Sequence, residues 1–309
     1  MDENQTQNRR AVIDVGSNSV KLLVAEVTSG DVTPLVHEGE QTRLGRGVFD
    51  SGKLDPEAIA QTAFVAGRFA EKARRMGAVE VKAVATSAAR EARNGMDLIE
   101  AFREVNVPLT IIEGDREAEL VLRGVRSHSD FSDGPLAIID VGGGSTEMLV
   151  ADETGLRLQH SFPLGTVRLL EQYRLSDLPA AQERAKVIEV LDQFLDDQVT
   201  PLLGTVALPG MLVGAGGTPV FLSRILKETD DLDATELEAL SWLLPEVQSL
   251  TDRLWMMSLE RRQALAGLPA DRADVILFGA AIYEAVMMRC GFHELRPTMR
   301  GVRYGSFLS

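Results

Sequence analysis

The sequence predicts an α/β fold of two duplicated domains. Residues 11–26 (AVIDVGSNSVKLLVAE) and residues 137–152 (AIIDVGGGSTEMLVAD) are identical at 9 of 16 aligned positions, with an offset of 126. Each copy has the pattern of a buried strand, a turn of small residues and a second apolar strand. Along the rest of the chain, strand patterns alternate with helix patterns, which is typical of mixed sheets covered by helices.

The length and composition agree with this division. The chain has 309 residues, of which 45% are hydrophobic and 25% are charged, and these values are typical of a globular protein of about two domains. We predict one domain over residues 1–124, which contains the first turn. The second domain is predicted over residues 125–309 and contains the second turn.

The remaining elements follow the two hairpins in order. In the first half, Asp55 and Pro56 suit the N-cap and the first position of a helix. The elements predicted after the first hairpin are helix 55–76, strand 81–86, helix 87–104, strand 109–114 and helix 115–126. Those predicted in the second half are helices near 176–199, 218–228, 235–245, 247–263 and 271–290, with a strand at 211–216.

Charge and composition exclude several classes of protein. The net charge of −14 argues against broad binding to nucleic acid or to a membrane surface, although an anion in a locally basic cleft stays compatible with it. The N-terminus lacks an apolar segment and no apolar run approaches roughly 18 residues, so we expect a cytoplasmic protein without a membrane span. Cys290 is the single cysteine, which excludes an intramolecular disulfide. The four histidines lack the spacing of zinc ligands.

The two turns carry the strongest chemical pattern. Glycines let backbone N–H groups approach phosphate oxygens closely, and serine, threonine and asparagine add short side-chain donors. One glycine-rich turn is common, but two matched turns indicate a phosphate site. The candidate phosphate-binding residues are Gly16, Ser17, Asn18 and Ser19 in the first turn, and Gly143, Gly144, Ser145 and Thr146 in the second.

Carboxylates flank both turns. Asp14 and Asp140 end the strands that lead into them, and a carboxylate beside a phosphate requires a cation such as Mg²⁺ between the two. Glu147 follows Ser145 by two residues, so alternation places both side chains on one side of the strand. We therefore expect Glu147 to be a second ligand of the metal or of water, with an exposed strand carboxylate as the alternative.

Two further segments run from a strand into a helix start, where anions bind favourably. They are ATSAAREARN (85–94), which contains Arg90, and IIEGDREAEL (111–120), which contains Glu117. From the pattern alone, both residues also fit an exposed helix surface. Residues 47–53 (GVFDSGK) are not a P-loop, because Leu54 stands where Ser or Thr would bind Mg²⁺. VGAGGTP (213–219) predicts a strand-to-helix glycine turn.

Taken together, DVGSNSVKLLV, ATSAAREARN, IIEGDREAEL and DVGGGSTEMLV, in this order, resemble the exopolyphosphatase/guanosine pentaphosphate phosphohydrolase family. The similarity runs from roughly residue 9 to the C-terminus. It implies two duplicated domains of the actin/Hsp70/sugar-kinase superfold, which are ribonuclease H-like, with an interdomain cleft. The chain has the length of the short, two-domain members.

The resemblance also implies roles for individual residues. Glu117 matches the catalytic base that activates water. Asp140 and Glu147 match the ligands of a divalent metal, Mg²⁺ with Mn²⁺ as the alternative, and Asp14 is a weaker candidate. Arg90 matches a phosphate-binding arginine. We also expect a homodimer.

The activity implied is the removal of terminal orthophosphate from linear inorganic polyphosphate. Guanosine pentaphosphate, a nucleotide of the stringent response, is the alternative substrate for the same site. Two further functions stay open, a kinase of the same superfold and a catalytically inactive regulator that binds polyphosphate or a nucleotide. The arginines expected to line a basic track for such an anion are Arg43, Arg46, Arg90, Arg93, Arg116 and Arg168.

Overall fold

The computed structural model describes residues 8–28, 30–204 and 206–309. These residues form two compact units. Unit 1 runs to Ser132 and includes Gly143–Ser145 and Arg300–Ser309, and unit 2 comprises Asp133–Gly142 and Thr146–Met299. The predicted boundary at 124/125 therefore differs from this division, chiefly because the C-terminal segment packs within unit 1.

The strands form one sheet in each unit. The sheet of unit 1 has the order β3-β2-β1-β4-β5, and the sheet of unit 2 has the order β10-β11-β9-β6-β7-β8. The strands are β1 (Arg9–Val15), β2 (Ser19–Thr28), β3 (Asp31–Gln41), β4 (Glu80–Ala85), β5 (Leu109–Ile111), β6 (Leu136–Val141), β7 (Thr146–Asp152), β8 (Gly155–Phe162), β9 (Met211–Ala215), β10 (Trp242–Leu243) and β11 (Glu294–Pro297).

Helices cover these sheets. The helices are α1 (Val48–Ser51), α2 (Pro56–Arg75), α3 (Ser87–Glu91), α4 (Gly95–Glu104), α5 (Gly114–Arg126), α6 (Thr166–Gln172), α7 (Ala181–Phe194), α8 (Thr200–Leu203), α9 (Gly217–Lys227), α10 (Ala234–Glu238), α11 (Leu244–Trp255), α12 (Leu259–Gln263), α13 (Ile276–Cys290) and α14 (Val302–Phe307). Short 3₁₀ segments lie at Ser129–Phe131 and Ala270–Arg272, and a π-helical turn lies at Leu195–Val199. Among the described residues, no helix combines the length and the apolar content that a membrane crossing requires.

The duplicated hairpins are confirmed. β1 pairs antiparallel with β2, and β6 pairs antiparallel with β7. The register is the same in both copies, because Asp14 pairs with Lys21 and Asp140 pairs with Glu147. Each hairpin gains a third antiparallel strand, β3 or β8, and a parallel neighbour, β4 or β9. The third strands were absent from the sequence prediction.

Helix α2 begins where its sequence predicts. The Asp55 carboxylate accepts hydrogen bonds from the backbone N–H groups of Glu57 and Ala58 at 2.9 and 3.0 Å. Pro56 occupies the first turn, where its missing N–H costs nothing. The apolar face of the helix packs into the core of unit 1, with Phe69 buried.

The predicted helix 87–104 is wrong in its middle, because the chain forms α3 and α4 instead. Ala92 is extended, and the Asn94 side chain bonds to the backbone of Leu54, accepting from its N–H at 2.8 Å and donating to its carbonyl at 3.1 Å. The chain then turns tightly, since a Cβ on Gly95 would lie 2.8 Å from the Ala89 carbonyl oxygen. A contact with a distant loop thus ends the first helix.

The second half differs at several helix ends. The predicted helix 235–245 stops at Glu238, because Trp242 and Leu243 pair with β11 as a short strand. The predicted helix 247–263 is split into α11 and α12, and Ser258 caps the second of these by accepting a hydrogen bond from the Arg261 N–H at 3.3 Å. Helices α7 and α13 begin later than the predicted residues 176 and 271.

Helix α13 lies at the centre of the core of unit 2. Most of its side chains are buried, including Phe278 and Tyr283. Cys290 lies at its end, and burial raises the pKa of this thiol to about 11. Little thiolate forms near neutral pH at such a pKa, which agrees with a structural cysteine.

Candidate active site

The first turn is a short connection between β1 and β2. The Gly16 N–H donates to the Ser19 carbonyl at 3.0 Å. Ser17, Asn18 and Ser19 are all buried. The Ser17 hydroxyl is buried without a hydrogen-bond partner among the described residues. A buried donor left open in a glycine turn is the feature expected of a ligand-binding cradle.

The second turn lies against the first. Gly143, Gly144 and Ser145 belong to unit 1, and a Cβ on Gly144 would lie 2.8 Å from the Ser17 hydroxyl. The same Cβ would overlap the Phe49 ring and the Ser87 hydroxyl. Glycine is therefore required at position 144 by the close approach of its neighbours, and the structure brings the two predicted turns together.

Thr146 has a different hydrogen bond from the predicted phosphate contact. Its hydroxyl is buried and donates to the Leu164 carbonyl at 2.6 Å. Because a hydroxyl has a single hydrogen, this bond commits the donor of Thr146 within unit 2. Ser145 is also buried, at the end of the turn.

A row of polar residues crosses three strands of unit 2. Asp140 on β6 is the register partner of Glu147 on β7, which is the register partner of Ser161 on β8. Glu147 is 2% exposed, so the alternative of an exposed strand carboxylate is wrong. Its Oε1 accepts a hydrogen bond from the Ser161 hydroxyl at 2.7 Å.

Gly216 and Tyr283 lie close to Asp140, and the sequence analysis did not assign either of them to the site. Gly216 has a positive φ of 87°, and a Cβ there would overlap the Asp140 Oδ1. The Tyr283 hydroxyl lies 3.4 Å from the Ile139 carbonyl and 3.3 Å from the Ala215 carbonyl. Burial, followed by the charge of Asp140, raises the pKa of Tyr283 well above its usual value. The Tyr283 hydroxyl therefore stays protonated near the Asp140 carboxylate.

Asp140 and Glu147 suit a hard divalent cation. Directly opposed residues of an antiparallel pair present their side chains on the same face, so two carboxylates stand together. The described residues contain no group of three or more His, Cys, Asp or Glu side chains that could hold a metal. Mg²⁺ commonly keeps several waters and binds through one or two carboxylates plus substrate phosphates, and the pair fits that chemistry.

Glu117 and Arg90 form an ion pair within unit 1. Glu117 lies in the first turn of α5, and its Oε2 accepts from the Arg90 Nη1 at 2.9 Å. The side chains are 7% and 16% exposed, so neither is an exposed helix-surface residue. Arg90 also donates to the Ile112 carbonyl at 3.0 Å. These bonds fix the orientation of the carboxylate that the resemblance assigns as the base.

The C-terminal helix α14 packs closely against α5. A Cβ on Gly305 would overlap the Leu120 carbonyl oxygen, and a Cβ on Gly124 would overlap the Gly301 carbonyl oxygen. Arg300 donates to the Ser127 carbonyl at 2.9 Å. The C-terminal segment therefore supports the helix that carries Glu117.

The arginines of the predicted track have different surroundings. Arg93 donates to the Ser51 carbonyl at 2.8 Å, and Arg116 is paired with Glu119 on its own helix. Arg43 and Arg46 line a cavity of about 600 Å³ in unit 1. Arg168 lies in unit 2 on α6.

Sequence analysis missed Ser161, Gly216 and Tyr283. The VGAGGTP segment was correctly predicted as a strand-to-helix turn, but its proximity to Asp140 depends on the pairing of β6 with β9. Ser161 lies on β8, a strand that was not predicted.

Comparisons with known proteins identify the family. The model of the Ppx/GppA phosphatase family matches residues 23–309. The chain belongs to this family. One relative, Exopolyphosphatase 2 of Mycobacterium tuberculosis, is 32% identical over 317 residues, which cover 97% of this chain and 98% of that protein. Exopolyphosphatase 1 of Mycobacterium leprae is 30% identical over 281 residues, which cover 90% of this chain and 82% of that protein.

Solved Ppx/GppA structures have the same fold. An exopolyphosphatase from Cytophaga hutchinsonii has a TM-score of 0.87 with 26% identity, over 96% of both chains. The Aquifex aeolicus member of the Ppx/GppA family has a TM-score of 0.78 with 27% identity, over 97% of this chain and 96% of that one. The predicted family and the predicted α/β fold class are both confirmed.

Proposed function

We propose that this protein is an exopolyphosphatase that removes orthophosphate from the end of linear inorganic polyphosphate. The observation that carries the proposal is the approach of Gly144 to Ser17, which brings two glycine turns together around a buried hydroxyl without a partner among the described residues. Phosphate is the ligand that such backbone and hydroxyl donors bind best. The names of the family relatives support the same substrate.

In this proposal, the turns bind the terminal phosphoryl group. Backbone N–H groups of Gly143 and Gly144 and the Ser17 hydroxyl donate to its oxygens, whereas the predicted contact from Gly16 is not available because its N–H donates to the Ser19 carbonyl. Asn18 adds a side-chain amide, whose Oδ1 is held by the Gln41 amide at 3.0 Å. Such fixed donors stabilise the charge that is spread over the phosphoryl oxygens during transfer.

Glu117 is the proposed general base. Its carboxylate accepts a proton from water as the water oxygen attacks the terminal phosphorus. The bond from phosphorus to the bridging oxygen breaks, which releases orthophosphate and a chain shortened by one phosphate. Arg90 stays a proposed phosphate ligand and also positions the base, because its guanidinium holds the Glu117 carboxylate.

Asp140 and Glu147 are the proposed ligands of Mg²⁺, with Mn²⁺ as the alternative, and Asp14 is the weaker third candidate. The bound cation would supply charge neutralisation for the phosphate oxygens. Gly216 and Ser161 hold the two carboxylates in place, the first by close contact and the second by a hydrogen bond.

The direct test is phosphate release by the purified protein with Mg²⁺. Long-chain polyphosphate, tripolyphosphate and guanosine pentaphosphate are offered at equal concentrations of chain ends. We expect the fastest release from polyphosphate. Faster release of phosphate from the nucleotide would favour a guanosine pentaphosphatase with the same residues. If the protein bound a substrate but released phosphate from none of the three, an inactive regulator would be favoured. Sedimentation of the same sample tests the expected homodimer.

A further inference from the structure

A cavity of about 600 Å³ lies in unit 1 beside the first turn. The loop after β3 forms one wall, with Gln41, Thr42, Arg43 and Arg46, and the start of α2 forms the other. None of the proposed reaction steps uses this cavity. Its volume is that of a typical small-ligand site.

The loop that forms the first wall is bonded directly to the phosphate-binding turn. The Asn18 carbonyl accepts from the backbone N–H groups of Thr42 and Arg43 at 3.2 and 3.0 Å. The Ser17 carbonyl accepts from the Gly45 N–H at 2.7 Å. The cavity and the turn are therefore parts of one hydrogen-bonded structure.

The loop wall is rich in hydrogen-bond donors. Thr42 is 8% exposed, and its hydroxyl is buried without a hydrogen-bond partner among the described residues. Arg43 has a positive φ of 52°, a conformation that costs free energy for a residue with a Cβ and that persists only where the surrounding structure enforces it. Arg43 and Arg46 place two guanidinium groups on this wall, in a chain of net charge −14.

The opposite wall carries two carboxylates, which accept hydrogen bonds and donate none. Asp55 uses its Oδ1 to accept two backbone hydrogen bonds at the start of α2. Glu57, Arg43 and Arg46 are all exposed to solvent, where their charges are screened, so hydrogen bonding rather than net charge distinguishes the two walls. The wall that continues from the turn therefore suits an anion whose oxygens accept hydrogen bonds.

We propose that this cavity binds the inner phosphates of a linear polyphosphate chain whose terminal phosphate occupies the turns. The inference rests on the proposed function and extends it, because it assigns Arg46 and Thr42 to the recognition of chain length. A long chain fills the cavity, whereas tripolyphosphate has only two phosphates beyond the terminal one. The nucleoside of guanosine pentaphosphate is the competing occupant that the experiment separates.

The first test is Arg46→Gln, with Arg75→Gln as the matched control. Arg75 is an exposed arginine of unit 1 that pairs with Glu71 on its own helix. We expect Arg46→Gln to raise the KM for long-chain polyphosphate by about tenfold, the size of one charge-assisted hydrogen bond, and to raise it less for tripolyphosphate. Arg75→Gln should change neither value. An equal rise for both substrates, or no rise, would overturn the inference, and a selective rise for guanosine pentaphosphate would assign the cavity to the nucleoside.

The second test is Thr42→Val, which removes the buried hydroxyl and keeps the shape of the side chain. If the hydroxyl serves a ligand, the variant should keep or raise the melting temperature, because an unsatisfied buried donor disappears. The KM for long chains should rise by about threefold or more. A lower melting temperature with an unchanged KM would mean that Thr42 is structural.

Failure of the inference and failure of the proposed function are distinguishable. Hydrolysis of long chains by the unmodified protein with unchanged kinetics in both variants would reject the cavity and keep the function. Absence of hydrolysis in the unmodified protein would reject the function. In that case, calorimetric titration of long-chain polyphosphate into the unmodified protein and the Arg46→Gln variant decides the inference, and equal affinities reject it.

Discussion

Asp140 lies directly opposite Glu147 on the antiparallel strands β6 and β7, whereas the same position of the first hairpin pairs Asp14 with Lys21. The duplicated hairpins thus share their register and differ in the sign of one charge. Like charges directly opposite each other destabilise a strand pair. Unit 2 therefore has a carboxylate pair that a cation would stabilise, and unit 1 has a pair of opposite charges at the equivalent position.

This relationship predicts the effect of Asp140→Asn on metal dependence. With one ligand charge removed, the Mg²⁺ concentration for half-maximal activity should rise by about tenfold or more, which corresponds to roughly 1.4 kcal/mol of lost binding free energy. Mg²⁺ should also raise the melting temperature of the unmodified protein, since a ligand of the native state stabilises it, and this rise should be smaller in the variant. Asp152→Asn, which alters a partly exposed carboxylate at the end of β7, is the control. An unchanged Mg²⁺ requirement would exclude Asp140 as a ligand.

Glu117→Gln tests the proposed base. The amide keeps an oxygen that can accept from Arg90 but cannot take a proton from water. Turnover should fall by on the order of 10²–10⁴, the usual contribution of a general base, while polyphosphate binding is retained. The control is Glu119→Gln, which removes a partly exposed carboxylate two residues further along the same helix. Full activity of Glu117→Gln with Mg²⁺ present would show that another group activates the water.

The fold was predictable wherever local pattern determines structure. The two hairpins follow from the repeat, and the start of α2 follows from Asp55 and Pro56. The break between α3 and α4 was not predictable, because it depends on hydrogen bonds between Asn94 and Leu54, which are distant in sequence. The return of the C-terminus to unit 1 depends in the same way on the contact of Gly305 with Leu120.

The site could be predicted only as separate segments. The turns and the acidic residues were found because each lies in a short motif. The ion pair of Arg90 with Glu117 requires two strand-to-helix segments to meet, and nothing local encodes that distance. The position of Tyr283 near Asp140 is harder still to predict, because a tyrosine within an apolar helix has the pattern of an ordinary core residue.

Gly144→Ala tests the contact between the turns. The added methyl group would lie 2.8 Å from the Ser17 hydroxyl and would overlap Phe49 and Ser87. Overpacking of this kind costs about 1–3 kcal/mol, and the turn that is proposed to bind phosphate would also be displaced. We expect the turnover per folded molecule to fall, in addition to any loss of folded protein. Gly39→Ala is the control, because its Cβ would meet Lys21 at an ordinary 3.6 Å. Equal effects of the two substitutions would argue against a close contact at Gly144.

His37 should make the stability of the protein depend on pH. Burial, followed by the charge of Arg303, lowers the pKa of His37 to about 4. The Tyr304 hydroxyl lies 3.3 Å from its Nε2, and the Arg303 Nη1 lies 3.5 Å from its Nδ1. In the unfolded chain this pKa is about 6.5, so the unfolded chain binds more protons between the two values. The contribution of His37 is therefore fully present above about pH 6.5 and is lost as the pH falls towards 4.

The measurement is urea unfolding of the unmodified protein and of His37→Gln. Between about pH 7.5 and about pH 5, the unmodified protein should lose up to roughly 2 kcal/mol more stability than the variant, as expected for this pKa difference. His293→Gln, at an exposed histidine, should behave as the unmodified protein does. If all three proteins lost the same stability, His37 would not be the group that titrates.

Gly305→Ala tests whether α14 supports α5, the helix that carries the proposed base Glu117. A Cβ at this position would overlap the carbonyl oxygen of Leu120, and a backbone atom cannot move aside as the end of a side chain can. The helices must separate, at a cost of about 1–3 kcal/mol, which should lower the melting temperature by roughly 5 °C. Because Glu117 lies in the first turn of α5, turnover should fall while the Mg²⁺ concentration for half-maximal activity stays unchanged. Gly210→Ala, whose Cβ would approach only His293 at 3.9 Å, should alter neither the melting temperature nor the turnover. A variant that loses stability but keeps full turnover would show that α14 contributes to folding alone and does not position Glu117.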